Sequence, residues 1–137
     1  MKNRTILLID GENIGHNRAD DIERLARRLG SVTKRRVYHL RNDPATRPWA
    51  EKSREGRYTD IPLDGTPEKD KIDRKIQEDA RHFMRSPKYD RVCIVSSDGG
   101  YCCLSEETAA EEKLCFIGER KAPQRLRRAG LCFMELG

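Results

Sequence analysis

Two aspartates stand where a side chain can do chemistry. Asp10 closes the apolar run Ile6-Leu7-Leu8-Ile9, and Asp98 follows Val92-Cys93-Ile94-Val95 across Ser96-Ser97. Each precedes a glycine, which lets the backbone turn sharply and is expected to leave the carboxylate facing solvent. Further acids, Asp70, Asp73 and Asp79, lie at and along a helical pattern running from Lys71 to Met84. On that helix Asp79 shares the apolar stripe of Ile72, Ile76 and Phe83, with Asp73 at its margin. A carboxylate on a buried stripe is costly unless it is paired or bound to a metal. Three carboxylates brought together repel, and their pKa values rise unless a cation neutralises them. An all-oxygen donor set selects Mg²⁺ or Mn²⁺ over zinc. Such an ion activates water and steadies charge on a phosphoryl oxygen, which is phosphodiester chemistry. The competing reading makes Asp10 and Asp98 helix N-caps and Asp70 a complement to the helix dipole. Both readings stay open on sequence alone.

The order of elements decides where such acids would meet. Thr5 to Ile9 is a continuous apolar run suited to a strand buried on both faces. Ile22, Leu25, Ala26 and Leu29 follow helical spacing, with Asp20 or Asp21 as a cap and Gly30 as the stop. Val37 to Leu40 reads as a second strand. Asn42 to Pro67 reads as a long loop holding a short helix around Trp49 to Arg54. After the Lys71–Met84 helix come a strand at Val92 to Val95, a short helix from Leu104 to Glu112 and a strand at Leu114 to Ile117. A short helix at Pro123 to Ala129 and a fifth strand at Leu131 to Leu136 complete the chain. This alternation predicts an α/β fold with a parallel, doubly wound, five-stranded sheet, one domain spanning residues 1–137. Ligands of such sheets bind beyond the carboxyl ends of the strands, near the switch in strand order, and Asp10 and Asp98 occupy that edge.

Composition narrows the class. The 137 residues carry 28 Lys and Arg against 23 Asp and Glu, a net charge of +5, and this excess suits a polyanionic partner. The basic residues cluster at Lys34-Arg35-Arg36, Lys69 and Lys71, Arg120-Lys121, and Arg125-Arg127-Arg128. No apolar run approaches the ~18 residues of a membrane span, and the first is too short for a signal-peptide core. A membrane partner is therefore excluded, and a reducing cytoplasm is the expected location. The five cysteines, Cys93, Cys102, Cys103, Cys115 and Cys132, form no zinc-ligand spacing and no disulfide framework. Three of them sit in apolar runs as small core residues.

Four segments in order resemble a known family. Ile9-Asp10-Gly11-Glu12-Asn13 is similar to the opening motif of NYN-domain proteins, a branch of the PIN-like nucleases. Ile72 to Ala80 resembles their central segment, where two Asp stand six apart. Val95-Ser96-Ser97-Asp98-Gly99-Gly100-Tyr101 is similar to their Ser-Gly-Asp-Ser-Asp-Phe motif, and Phe116 to Phe133 follows their closing strand–helix–strand. The likeness spans essentially the whole chain. It implies a three-layer α/β/α sandwich and a Mg²⁺- or Mn²⁺-dependent ribonuclease in which Asp10, Asp73 and Asp98 hold the metal. Asn13 would hold a water or a phosphate, and Ser96 would support the turn beside the nucleic acid. The chain departs from the pattern at Gly100, where the family has its second Asp, and at Tyr101, where it has Phe.

The leading expectation is therefore a metal-dependent ribonuclease, with Lys71, Arg41 and Arg120 as contacts to the RNA backbone. Asp79 and Glu12 are the acids able to compensate for Gly100. Trp49 and Tyr58 either stack on unpaired bases or anchor the long loop on the core. The alternative is a degenerate NYN domain that binds RNA or a protein without cutting. A homodimer or a regulatory protein is the further partner to test. Other phosphate enzymes fit less well. A haloacid-dehalogenase-type phosphatase needs Asp-x-Asp where this chain has Asp10-Gly11-Glu12, and a Toprim domain needs it where the chain has Asp98-Gly99-Gly100. A receiver domain needs an acidic pair after the first strand and a phosphoacceptor on a middle strand, a place Asp98 could fill.

Overall fold

The computed structural model describes residues 3–66 and 71–137. Six strands form one sheet: β1 (Arg4–Asp10), β2 (Ser31–Leu40), β3 (Thr59–Leu63), β4 (Arg91–Val95), β5 (Leu114–Gly118) and β6 (Cys132–Glu135). All neighbours run parallel, in the order β3-β2-β1-β4-β5-β6. The chain builds outward from β1 in one direction, then returns to β4 and builds outward in the other. The β1–β4 seam is therefore the switch point, where side chains at the carboxyl edge face a crevice.

Helices cover both faces. The first face carries α1 (Ala19–Ala26, extended by a 3₁₀ turn to Leu29) and α2 (Arg47–Ser53). They bury Ile22, Leu25 and Trp49 against Leu7, Ile9, Val37 and Val95. The second face carries α3 (Lys71–Arg85), a 3₁₀ segment (Gly99–Glu106), α4 (Ala110–Lys113) and α5 (Gln124–Arg127). Ile72, Ile76, Tyr101, Leu104 and Leu126 pack there against Ile6, Leu8, Ile94 and Phe116. Strands β1, β4 and β5 are buried on both faces, which is why they read as unbroken apolar runs.

The sheet has six strands rather than five. The additional strand, Thr-Asp-Ile-Pro-Leu, lies at the sheet's edge and pairs only with β2. Pro62 is tolerated there because an edge strand has one side that needs no donor. His39 on β2 secures this edge, its Nε2 meeting Asp60 Oδ1 on β3. Strand β2 also begins earlier than its apolar stretch, because Ser31 to Arg36 pair with β1 while largely exposed. The expected Leu104–Glu112 helix is instead a 3₁₀ segment and a single α-turn, separated at Ala109, whose φ of 71° breaks the helix. The cap expected at Asp20 or Asp21 is absent, since both lie inside the first turn of α1.

Trp49 and Tyr58 do not stack on bases. Trp49 is fully buried and donates its indole N–H to Ile14 O at 2.8 Å, with Tyr58 edge-on at 5.7 Å. Both anchor the β2–β3 connection on the core. All five cysteines are free. Lys69 and Asp70 lie outside the described residues.

Candidate active site at the switch point

Sheet register brings the acids together. Ile9 pairs with Val95 across the β1–β4 seam, so Asp10 emerges opposite Ser96. The Ser96 hydroxyl, fully buried, donates to Asp10 Oδ2 at 3.1 Å and accepts the Asp98 N–H at 3.1 Å. One small side chain thus couples the two strand ends. Asn13 adds a second tie, its Oδ1 accepting the Ser97 N–H at 2.8 Å. Ser97 Oγ in turn accepts the Glu119 N–H at 2.8 Å, linking the turn to the end of β5.

Asp73, in the first turn of α3, completes the group. The Tyr101 hydroxyl lies 3.1 Å from Asp10 Oδ2 and 3.2 Å from Asp73 Oδ1, bridging the two carboxyls. Asp73 Oδ2 and Asp98 Oδ1 both lie close to Gly100, 3.8 and 3.3 Å from where a Cβ would stand. Asp98 keeps one oxygen as the N-cap of the 3₁₀ segment, accepting the Gly100 N–H at 2.9 Å. Capping and membership of an acidic centre are thus compatible roles for one carboxylate, which has two oxygens.

The electrostatics follow from this crowding. Burial pushes the Asp10 carboxyl up to about 6 against the donors Ser96, Tyr101 and Asn13, with the Asp98 charge adding a smaller push. Asp73 is raised to about 7, first by burial, then by its contact with Asp98 and the charge on Asp10. Glycine does not leave Asp10 facing solvent as expected; that carboxylate is only 3% exposed, whereas Asp73 and Asp98 are half-buried.

Several expected members fall elsewhere. Asp79 does not reach the centre. Six residues beyond Asp73, it is rotated to another side of α3 and meets Arg36 Nη1 at 2.9 Å, the Tyr38 hydroxyl at 2.7 Å and Lys75 Nζ at 3.1 Å. It ties α3 to β2. Glu12 turns toward β2, accepting the Leu40 N–H at 3.1 Å, and burial, then the neighbouring Asp43, raise it to about 7. Neither compensates for Gly100. Ser96 is sealed in the interior, so it positions Asp10 and Asp98 instead of touching nucleic acid.

The three basic residues expected to contact RNA follow other strands of the same sheet. Arg41 follows β2 and Lys71 opens α3 beyond β3; both are held by Asp64, through Oδ1 and the backbone carbonyl respectively. Arg120 lies just beyond β5 on the other side of the seam, exposed, its carbonyl accepting from Arg127. These basic residues and the acids thus stand at the same carboxyl edge of the sheet.

The donor set suits a hard divalent ion. All three groups are carboxylates, and two of them converge on Gly100: a Cβ there would press on Asp98 Oδ1 at 3.3 Å and touch Asp73 Oδ2 at 3.8 Å. Among the described residues, no three His, Cys, Asp or Glu side chains already stand as a metal-binding group. Hydrogen bonds from Ser96 and Tyr101 occupy Asp10 instead. The role of the Tyr101 hydroxyl is the feature sequence reasoning missed. Its signal was a Tyr in place of Phe next to an acidic turn.

These features define a doubly wound α/β domain with an acidic centre at its switch point. The chain belongs to the NYN-domain family, whose model matches residues 4–136, and that family is part of the PIN-like nuclease superfamily. No curated protein matches the chain. Among solved structures it is similar to VPA0982 of Vibrio parahaemolyticus, a protein of unknown function, with a TM-score of 0.75 and 21% identity. That match covers 99% of this chain and 94% of the other, and at this identity it bears on the fold alone.

Proposed function

We propose that the protein is a divalent-metal-dependent ribonuclease that hydrolyses RNA phosphodiester bonds at Asp10, Asp73 and Asp98. The observation that carries this reading is the meeting of three carboxylates from three separate elements, β1, α3 and the β4 turn, at the switch-point edge. Asp10, Asp73 and Asp98 would hold Mg²⁺ or Mn²⁺, which supplies an activated water and stabilises charge on the phosphoryl oxygens.

The other residues prepare the centre. Ser96 fixes Asp10 and Asp98 relative to each other, and Asn13 locks the β1 loop to the β4 turn. Tyr101 holds Asp10 and Asp73 together by hydrogen bonding. Arg41, Lys71 and Arg120 flank the crevice and bind phosphates of the RNA backbone. Residues 1–137 act as one domain in this reading. A reducing cytoplasm suits five unpaired thiols. Among the described residues, no helix is long and apolar enough to cross a membrane.

The test is cleavage of end-labelled RNA by the purified protein with Mn²⁺ or Mg²⁺. Product should form with the ion and stop with chelator, and Asp10→Asn and Asp98→Asn should each lose at least a hundredfold in rate. Wild-type activity that persists in chelator overturns the metal requirement.

Gly100 and Tyr101 favour a second reading, in which the domain binds RNA or a protein partner without cutting. The glycine removes a carboxylate that the family pattern has, and the Tyr101 hydroxyl bonds two of those that remain. RNA binding with no ion-dependent product selects this reading. A mass measurement in solution decides whether a second copy or a regulatory protein completes it.

A further inference from the structure

We propose that Arg125 binds the RNA phosphate adjacent to the one at Asp98, an assignment that rests on the nucleic-acid reading of the crevice. Arg125 lies on α5, against the start of the 3₁₀ segment that Asp98 caps. A Cβ on Gly99 would lie 2.5 Å from its Nη2, 2.6 Å from its Cζ and 2.7 Å from its Nε. Three guanidinium atoms at nearly equal distance place the flat face of the group on the Gly99 backbone. A Cβ at position 99 would displace the guanidinium from this seat.

The same guanidinium has no hydrogen-bond or ion-pair partner among the described residues. Its neighbour Arg127 differs: it bonds Glu135 Oε1 at 2.7 Å and the carbonyls of Ala122 and Arg120. Arg36, Arg41 and Arg81 also have carboxylate partners. Arg125 thus keeps its planar donor fork for an outside acceptor, and phosphate matches that fork.

Position supports the match. Gly99 follows Asp98 directly, and consecutive Cα atoms are ~3.8 Å apart, so Nη2 stands within ~8 Å of the Asp98 backbone. It remains beyond ion-pair distance of the carboxylate, since no such pair forms among the described residues. A group held that near an acidic centre, yet unpaired, meets the backbone one step along the strand from the phosphate being cut. Arg120 precedes it on the same side of the seam, while Arg41 and Lys71 serve the far side.

Binding and cleavage are measured separately. Fluorescence anisotropy of labelled single-stranded RNA in chelator reads binding alone. Arg125→Ala should raise Kd roughly five- to tenfold and reduce the slope of log Kd against log salt by about 1. Arg125→Lys should recover only part, because an ammonium lacks the fork. Gly99→Ala should weaken binding similarly with Arg125 intact, while Arg28→Ala, a charge loss at the far end of α1, should match wild type. If the protein cuts RNA with Mn²⁺, the Arg125→Ala loss should fall mainly on KM. A wild-type salt slope in Arg125→Ala, or no RNA binding by wild type at low salt, overturns the proposal. Absence of cleavage with binding intact overturns only the hydrolytic reading and leaves the Arg125 result decisive.

Discussion

Tyr101→Phe is the most direct test of how the acidic centre is held. The change deletes one oxygen and keeps the ring, which is fully buried against Ile72, Leu104 and Ile94. That oxygen makes contacts of 3.1 Å to Asp10 and 3.2 Å to Asp73. A phenol carries a single proton, so it donates to one carboxylate, and the other contact needs a proton on the acid. Asp73, raised to about 7, is the group able to carry it. Losing the two contacts should cost about 2 kcal/mol in chelator, at about 1 kcal/mol net per hydrogen bond. For a chain of this size that is a fall in Tm of roughly 5–8 °C. The hydroxyl also competes with any cation for the same oxygens. Its removal should therefore lower the Mn²⁺ concentration at half-maximal stabilisation roughly three- to tenfold. Thermal melts of both proteins across a Mn²⁺ titration measure the two effects together. A Phe variant as stable as wild type in chelator would show that the bridge carries no energy. A variant stabilised by Mn²⁺ less than wild type would show that Tyr101 helps the ion and does not compete with it.

Three further outcomes follow from the same geometry. Gly100→Asp has a backbone outside the left-handed region, and its Cβ needs only the end of the Asp98 side chain, 3.3 Å away, to yield slightly, so it should fold; adding a fourth carboxylate should cost about 1 kcal/mol in chelator and lower the Mn²⁺ midpoint about tenfold, and an unmoved midpoint in the same melts refutes it. Asp79→Ala strands the Arg36 guanidinium and the Tyr38 hydroxyl, so urea unfolding should show a loss of about 2–4 kcal/mol with the Mn²⁺ midpoint unchanged; a shifted midpoint would put Asp79 back in the centre. Cys132 stands in register with Cys115 on the next strand, and hydrogen bonding from Cys115, aided by Arg91, brings its thiol down to about 7; because the thiolate forms above that value, alkylation of Cys132 followed by mass spectrometry should rise with pH around a midpoint near 7, and a midpoint at the ordinary ~8.5 counts against the pairing.

The readable parts of this fold were those whose signal is local. β1, β4 and β5 are apolar on both faces, so their residues alone announce them, and the stripe Ile22, Leu25, Ala26 and Leu29 announces α1. β3 was invisible because an edge strand needs little apolar surface and tolerates Pro62. The first half of β2 was hidden for a related reason: Lys34, Arg35 and Arg36 pair through backbone groups that side-chain pattern does not report. In the site, Asp10 and Asp98 were legible as strand ends and Asp73 as a helix-start acid. Asp79 was misplaced because periodicity tells which stripe a residue occupies, not that Arg36 waits opposite it on β2. The burial of Asp10 and the Ser96 bridge depend on the register between two strands over eighty residues apart, which no local pattern carries.

Positions 100 and 101 alter the centre in the same direction, and together they suggest how it works. Gly100 puts no charge where the motif this segment resembles has an Asp, and Tyr101 supplies a hydroxyl shared by two of the three acids present. A four-carboxylate cluster is costlier without a cation, because its repulsion exceeds what the few donors around it offset and is relieved only by further protonation. Three carboxylates with Ser96, Tyr101 and one retained proton can be satisfied by hydrogen bonds alone. The ion-free centre is then a folded, low-energy state, and a divalent ion must displace bonds already made in order to enter. Affinity for the ion should be weaker than in a four-acid centre, and occupancy should follow the ambient ion concentration. On the proposed function, the nuclease and binding readings become two ends of one titration: at low ion the basic residues should hold RNA uncut, and cleavage should appear only as the ion concentration rises.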